Sequence, residues 1–536
     1  MAIRKRVLNL PPLFGGCRYI DNILSIRNVE AYILKNVHIN ERGITYTRGG
    51  SRLLNSTSPS DEVTSIHEYA RPSGSKIIRE TLVTIGKNWY KLEDGTLTRI
   101  GTLNSDNKPS VVTFNDGSGG SIAILANGVD FVKYDGTDVT QLLSDFSDFV
   151  ATFKPKYLFV YENRLMASGC ADTPTRIYAS GLLDPTSWGA DAYFSYDDDK
   201  EPINGIGSAW SFLVAFKKNS VYIDSEGNPE STTLQQTLVA RGFGASSHWG
   251  IVTVGDNIFF GNQTNFYSGV LRSQTTDGLQ VHIISDNINK KFLEINSFDE
   301  YEGIYVDKAQ EIRWGVKTGS SSVYNTELVY NTALSHINIQ GLRQDIWNGW
   351  WEGTSYEVSS YGLITNTNGS FSVYRGDSKG KVYIMEEDFT FKDDDSDGTG
   401  QDIETLIHLG PALPSGLAYR KNFRKAILYL FQNVNGSTTL QYNMSGRYRK
   451  PDTGVVLKVE GHISYWNDGF AVTSDPDITA AWTEVLWADA PMLPYPVGIN
   501  DFGTFIELII TNDGSEDQDK IAYGGAQITY QIKRGL

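Results

Sequence analysis

The chain has 536 residues, 40% hydrophobic and 21% charged, which is too long for one ordinary core and too apolar to be disordered, so two or three domains are expected. A formal net charge of −16, from 63 acidic against 47 basic residues, argues against a protein that wraps nucleic acid, though not against a duct that must release it. With only two cysteines, Cys17 and Cys170, a disulfide framework is excluded; two buried free thiols are expected, with a single bridge as the alternative.

In chain order, residues 1–45 carry no hairpin rhythm and read as an arm laid over a neighbouring domain or subunit. Arg4-Lys5-Arg6 would suit the basic start of a signal peptide, but Pro11 and Pro12 interrupt before an apolar stretch develops. No later run is long and apolar enough to span a bilayer.

From residue 46 to 390, strand-turn-strand phrases recur. In 89–98 and 131–140 an aromatic strand precedes Asp94-Gly95 and Asp135-Gly136, the dipeptide that favours a type I′ hairpin, and β-branched residues follow. The two phrases lie 41 residues apart (135 − 94), close to the length of a four-stranded propeller blade. Further hairpins are predicted within 159–167, 212–223, 252–260, 304–316 and 371–385. This rhythm predicts a β-propeller of about six to eight blades, with a stacked array of β-sandwiches as the competing architecture. Beyond an acidic linker at 392–398, residues 391–536 carry longer predicted strands at 426–431, 438–443, 455–459, 505–511 and 526–532. They read as an additional C-terminal antiparallel sandwich or barrel. The fold class is all-β.

Motifs that would carry chemistry are sparse. Gly376-Asp377-Ser378-Lys379-Gly380 fits the nucleophile-elbow pattern, yet a strand follows it where the elbow needs a helix, so a hairpin turn is expected. The seven histidines form no metal-protease cluster. Asp393, Asp395 and Asp397 before Gly398, with Glu404 at the twelfth position, match the spacing of a calcium loop, in which alternating carboxylates converge on one hard cation. The flanks read as strands and not as the helices of an EF-hand, so a solvated linker is the alternative to a calcium loop on a β scaffold. No catalytic residue and no other cofactor site is expected. Trp347, Trp350 and Trp351 offer either a glycan-stacking surface or a packed blade strand.

One succession of segments goes beyond composition. Residues 176–180 lead through Leu183-Asp184-Pro185-Thr186-Ser187-Trp188 to Phe194, Asp197 and Asp199. Then come Pro202-Ile203-Asn204-Gly205-Ile206, the 210–216 run, Val221-Tyr222, Gln235-Gln236-Thr237 and 239–245. This order, with the opening at 36–50, the 376–383 phrase and Lys421 to Lys425, resembles the tail nozzle proteins of short-tailed bacteriophages, also called packaged-DNA stabilisation or tail accessory proteins. The resemblance covers most of the chain. It implies a virion protein, assembled in the host cytoplasm, that forms a six-membered ring below the head-to-tail adaptor ring. Such a ring makes the lower part of the DNA-ejection channel, passes double-stranded DNA without reading its sequence, and gives tail fibres or spikes a docking surface. It also implies that residues 1–45 and 391–536 build a platform from which the propeller, 46–390, hangs. No catalytic residues come with the family. Two other functions compete: a receptor- or glycan-binding tail adhesin, and a polysaccharide depolymerase.

Overall fold

The computed structural model describes residues 5–57, 59–117, 119–143, 153–209, 212–224, 228–229, 236–271, 279–337, 343–386, 392–414, 419–432, 436–444, 455–459, 493–512 and 521–532. Trp210, Ser211 and Gln235, part of the stretch that carries the resemblance, lie outside the described residues.

Antiparallel hairpins dominate. Asp94 and Gly95 both adopt positive φ, 46° and 76°, as a type I′ turn demands, and join Asn88–Glu93 to Thr96–Thr102. Five four-stranded antiparallel sheets succeed one another at 63–102, 110–141, 157–195, 203–241 and 252–283. A sixth blade, 295–351, continues into a larger sheet. A seventh has three strands, Ser360–Thr365, Phe371–Gly376 and Val382–Met385, completed by Ser51–Leu53 from the start of the chain. The first strand of each blade touches the first strand of the next, and that of blade 7 touches Val63–Ser73 of blade 1. The circle is closed, so the architecture is a seven-bladed β-propeller and not a stacked array. Near the axis strands approach closely. A methyl at Gly362 would collide with Ile66, and one at Gly205 with Ile251.

Blades pack through separate apolar clusters. Tyr69, Leu82 and Trp89 of blade 1 meet Leu125 and Tyr134 of blade 2. Phe114 and Ile124 of blade 2 meet Leu158 and Leu165 of blade 3. Val214 and Phe216 of blade 4 meet Ile258 and Phe260 of blade 5.

Beside the propeller lie two sheets that neither end of the chain makes alone. In the first, Ile521–Ile532 pairs with Lys421–Gln432 on one side, and with Arg6–Leu10 and Thr45–Thr47 on the other. Val37–Ile39 and Leu493–Gly503 flank this set. In the second, Glu30–Lys35 sits between blade 6's last strand, Arg343–Trp351, and Thr405–Leu409. Ile506–Asn512, Gly436–Met444 and Val455–Val459 extend it outward. Leu428, Tyr523 and Ile528 of the first sheet share one buried core with Leu34, Ile407 and Leu508 of the second and with Trp314 and Trp347 of blade 6. The acidic stretch expected as a linker is a hairpin instead. Lys392–Asp394 pairs with Gly400–Asp402 and lies against Ser51, extending the sheet of blade 7. Its physical reason is that Asp393 has cationic and hydroxyl partners waiting in that sheet.

Candidate functional site

Two features concentrate polar groups: the axis of the propeller and the seam where the chain's start closes the ring.

On the axis a cavity of about 250 Å³ is lined by His67, Ser110, Leu158, Gly207, Thr253 and Glu302, from the first strands of blades 1 to 6. His67 Nε2 lies 2.9 Å from Thr113 Oγ1, and His248 Nδ1 accepts from the Ile206 N–H at 3.3 Å. Burial pushes both imidazoles down to about 4, so they are neutral near pH 7. A space of this size suits water or a small molecule. It is far too narrow for a nucleic-acid duplex.

The seam is built by Val37–Ile39, residues 47–53, blades 6 and 7, and the 392–402 hairpin. His38 is clasped by two carboxylates: Nδ1 lies 2.6 Å from Glu311 Oε1, and Nε2 makes a short contact with Glu386. Arg313, fully buried, donates to Glu311 at 2.8 Å and to Glu386 at 2.7 Å, and lies over the Trp351 ring. The Asn348 amide adds a third partner to Glu311 at 2.5 Å. A few residues on, Arg48 grips Asp393 with both terminal nitrogens, between the rings of Trp351 and Tyr356. Ser51 donates to Asp393 at 2.8 Å and accepts from Arg375 at 2.8 Å, so the closing strand is pinned by its own side chain. Asn36 uses both ends of its amide, donating to Glu352 O and Glu404 O and accepting from Glu352 N.

The electrostatics follow from this enclosure. Burial alone would lower the His38 pKa, but Glu311 and Glu386 outweigh it and raise it to about 9. Burial works to raise Asp393, yet Arg48 and Arg375 hold it below the ordinary carboxylate range. Glu327, touched by Tyr356, stays raised because burial exceeds the help from Arg313. Removing one partner from such a set strands the other charge in low dielectric, at about 3–5 kcal/mol. The chemistry on display is that of a clamp.

The residues singled out in the sequence fall as follows. Three of the four carboxylates of the suggested calcium loop are engaged separately, and the fourth, Asp397, is exposed. Asp393 faces Arg48. Asp395 caps its own turn by accepting from the Asp397 and Thr399 N–H groups at 2.9 and 3.0 Å. Glu404 lies 3.1 Å from Lys35. Among the described residues no group of three or more His, Cys, Asp or Glu side chains is arranged to hold an ion. Gly376 to Gly380 is the hairpin turn between two antiparallel strands of blade 7, and Ser378 donates to Glu357 at 2.6 Å. Trp347 and Trp351 are fully buried and Trp350 nearly so, which fits the packed-strand reading. Cys17 and Cys170 are buried free thiols, and burial pushes both up to about 12. Among the described residues no helix is long and apolar enough to cross a membrane. Sequence reasoning missed His38, Arg48, Glu311, Arg313 and Glu386. The one available signal was Glu311 and Arg313 alternating with Ile312 and Trp314, charges where a central strand should be apolar on both faces.

No family model matches the sequence. No curated protein matches it either. Among solved structures, BBS1N in complex with ARL6DN covers 63% of this chain and 97% of its own, at 8% identity and a TM-score of 0.39. The N-terminal domain of Nup159 covers 63% and 94%, at 10% identity and a TM-score of 0.35. The extracellular domain of a one-component system from B. thetaiotaomicron covers 82% of this chain and 59% of its own, at 11% identity and a TM-score of 0.40. These likenesses are too distant to speak to function.

Proposed function

We propose that this chain is a structural virion protein, the tail nozzle of a short-tailed bacteriophage, and not an enzyme. On this reading six copies form a ring beneath the head-to-tail adaptor, DNA leaves through it, and fibres or spikes dock on its outside. The two sheets beside the propeller serve as a sandwich-like platform. The observation that carries the reading is the weave of both chain ends into those sheets, tied to blades 6 and 7 by the charged seam. A part that must hold neighbours and transmit load gains from having its first and last described strands paired at its joint. The order of segments that resembles the nozzle proteins supports the same reading. Because the propeller's own axis is too narrow, any DNA passage must run between copies and not through a single ring of blades.

Electron microscopy of the protein assembled on its adaptor tests this. The expected result is a six-fold ring with a bore wide enough for a duplex. A monomer or trimer on the virion periphery, with no axial bore, would overturn it and favour a tail adhesin.

A further inference from the structure

The outer face of the first platform sheet carries a feature unrelated to the seam. In Lys421–Gln432 the register to both neighbouring strands slips between Phe423 and Lys425, which is a β-bulge at Arg424. Phe423 and Ala426 are buried in the core, whereas Arg424 and Lys425 between them are both exposed. Plain alternation would turn one of these two cations inward. The bulge sends both to the outer face while keeping the flanking apolar residues packed.

Other cations stand at the same end. Arg420 is exposed with its guanidinium 5.6 Å from the Phe502 ring, and Lys5 is exposed one residue ahead of Arg6–Leu10, whose Arg6 pairs with Tyr530. Arg424 itself reaches Gln531 at 3.3 Å. Among the described residues none of Lys5, Arg420, Arg424 and Lys425 makes an ion pair. The strands Arg6–Leu10, Lys421–Gln432, Leu493–Gly503 and Ile521–Ile532 contain a single carboxylate, Asp501, in a chain with 63 acidic residues. Such local reversal of sign against an acidic whole points to an anionic partner.

We propose that this face contacts the phosphate backbone of double-stranded DNA without reading its sequence. The inference rests on the nozzle reading, which puts DNA beside the platform. Arginine, lysine and side-chain amides are the groups that contact phosphate oxygens, and contacts of that kind position a duplex without specifying bases. The acidic remainder of the molecule would repel the same duplex, so DNA is held at one surface and released from the others.

Fluorescence anisotropy of a short mixed-sequence duplex against the full chain tests it, between roughly 50 and 200 mM salt. Wild type is expected to bind duplexes of unrelated sequence alike and to weaken steeply with salt. The charge reversal Arg424→Glu with Lys425→Glu should lose at least about tenfold in affinity and flatten the log–log salt slope by about 2, the share of two phosphate contacts. The exchange Arg424→Lys with Lys425→Arg should bind as wild type, separating charge from folding. An unchanged affinity in the reversal variant, or no duplex binding by wild type at the lowest salt, overturns the proposal. So does loss of self-association in the reversal variant without any duplex binding, which would assign the face to an acidic surface of a second copy. A ring with a bore that binds no duplex sinks this inference alone; duplex binding by a chain that forms no ring sinks the nozzle reading alone.

Discussion

Blades 1 to 5 and the closing region solve the same problem, sheet against sheet, with different chemistry. Between blades 2 and 3 the contact is Phe114, Ile124, Leu158 and Leu165, apolar groups that tolerate any neighbour of similar shape. Where blade 7 is completed by Ser51–Leu53, the contact is Arg48 on Asp393, His38 between Glu311 and Glu386, and Arg313 on both of those carboxylates. Each interface from blade 1 to blade 5 forms between segments adjacent in sequence, so proximity selects the partner. The closing strand must find blade 7 across more than three hundred residues, and Ser51–Leu53 contributes only three residues of pairing to recognise it. Directional charge pairs supply the discrimination that so short a strand cannot.

That contrast can be broken most directly at Arg313. Arg313→Ala leaves Glu311 and Glu386 buried without their cation, and chemical denaturation should show a loss of about 3–5 kcal/mol. A loss below about 1 kcal/mol would mean the seam is incidental to stability. Leu165→Ala in blade 3 should cost about 3 kcal/mol, by lost transfer energy and a cavity. Hydrogen exchange should then rise in blades 2 and 3 while the chain ends and blade 7 stay protected, whereas Arg313→Ala should raise it in the chain ends and blade 7 together.

Titration sharpens the comparison, because the two regions should soften in different windows. The His38 pKa rises from 6.5 to about 9 on folding, so its stabilisation is complete below pH 6.5 and is lost as pH climbs through 9. Asp224, in blade 4, is buried with, among the described residues, only the Tyr196 hydroxyl on one oxygen, and its pKa rises from 3.8 to about 7. Its contribution is therefore present in acid and lost as pH rises from about 4 through 7. His38→Gln should remove the alkaline component of the melting curve, and Asp224→Asn the acidic one. Either variant erasing the other's window would contradict these assignments. The smallest effect is expected from calcium. With Asp393 committed to Arg48 and Asp395 to its turn, millimolar calcium should leave the melting temperature unchanged. A rise of several degrees would show that the carboxylates regroup around the ion.

Much of the propeller was legible in the sequence, and its limits are instructive. The paired phrases at 89–98 and 131–140 are the third and fourth strands of successive blades, so their spacing is a true blade period. The other hairpins were real but not equivalent. Residues 159–167 join the first and second strands of blade 3, whereas 212–223 join the second and third strands of blade 4. Tight turns announce a hairpin without saying where in a blade it falls, which is why the blade number could not be counted. The platform pairing was hidden for another reason. Arg6–Leu10 and Ile521–Ile532 each look like any amphipathic strand, and nothing local says that they meet. The seam was hidden in the same way, since His38 and Glu386 signify little until the fold sets them together.

The claim that joins fold to function is that the strands from both ends of the chain and blade 7, which they complete, form one cooperative unit. Native-state hydrogen exchange of the full chain tests it most directly, by comparing the amides of Ser51–Leu53 and Ile521–Ile532 with those of Val382–Met385. The account predicts that all three sets open together, at the same free energy, and that Arg313→Ala lowers that energy for all of them equally. Fast exchange at Ser51–Leu53 or Ile521–Ile532 while Val382–Met385 stays protected would contradict it, because the ends would then be a loose covering on a propeller that closes without them.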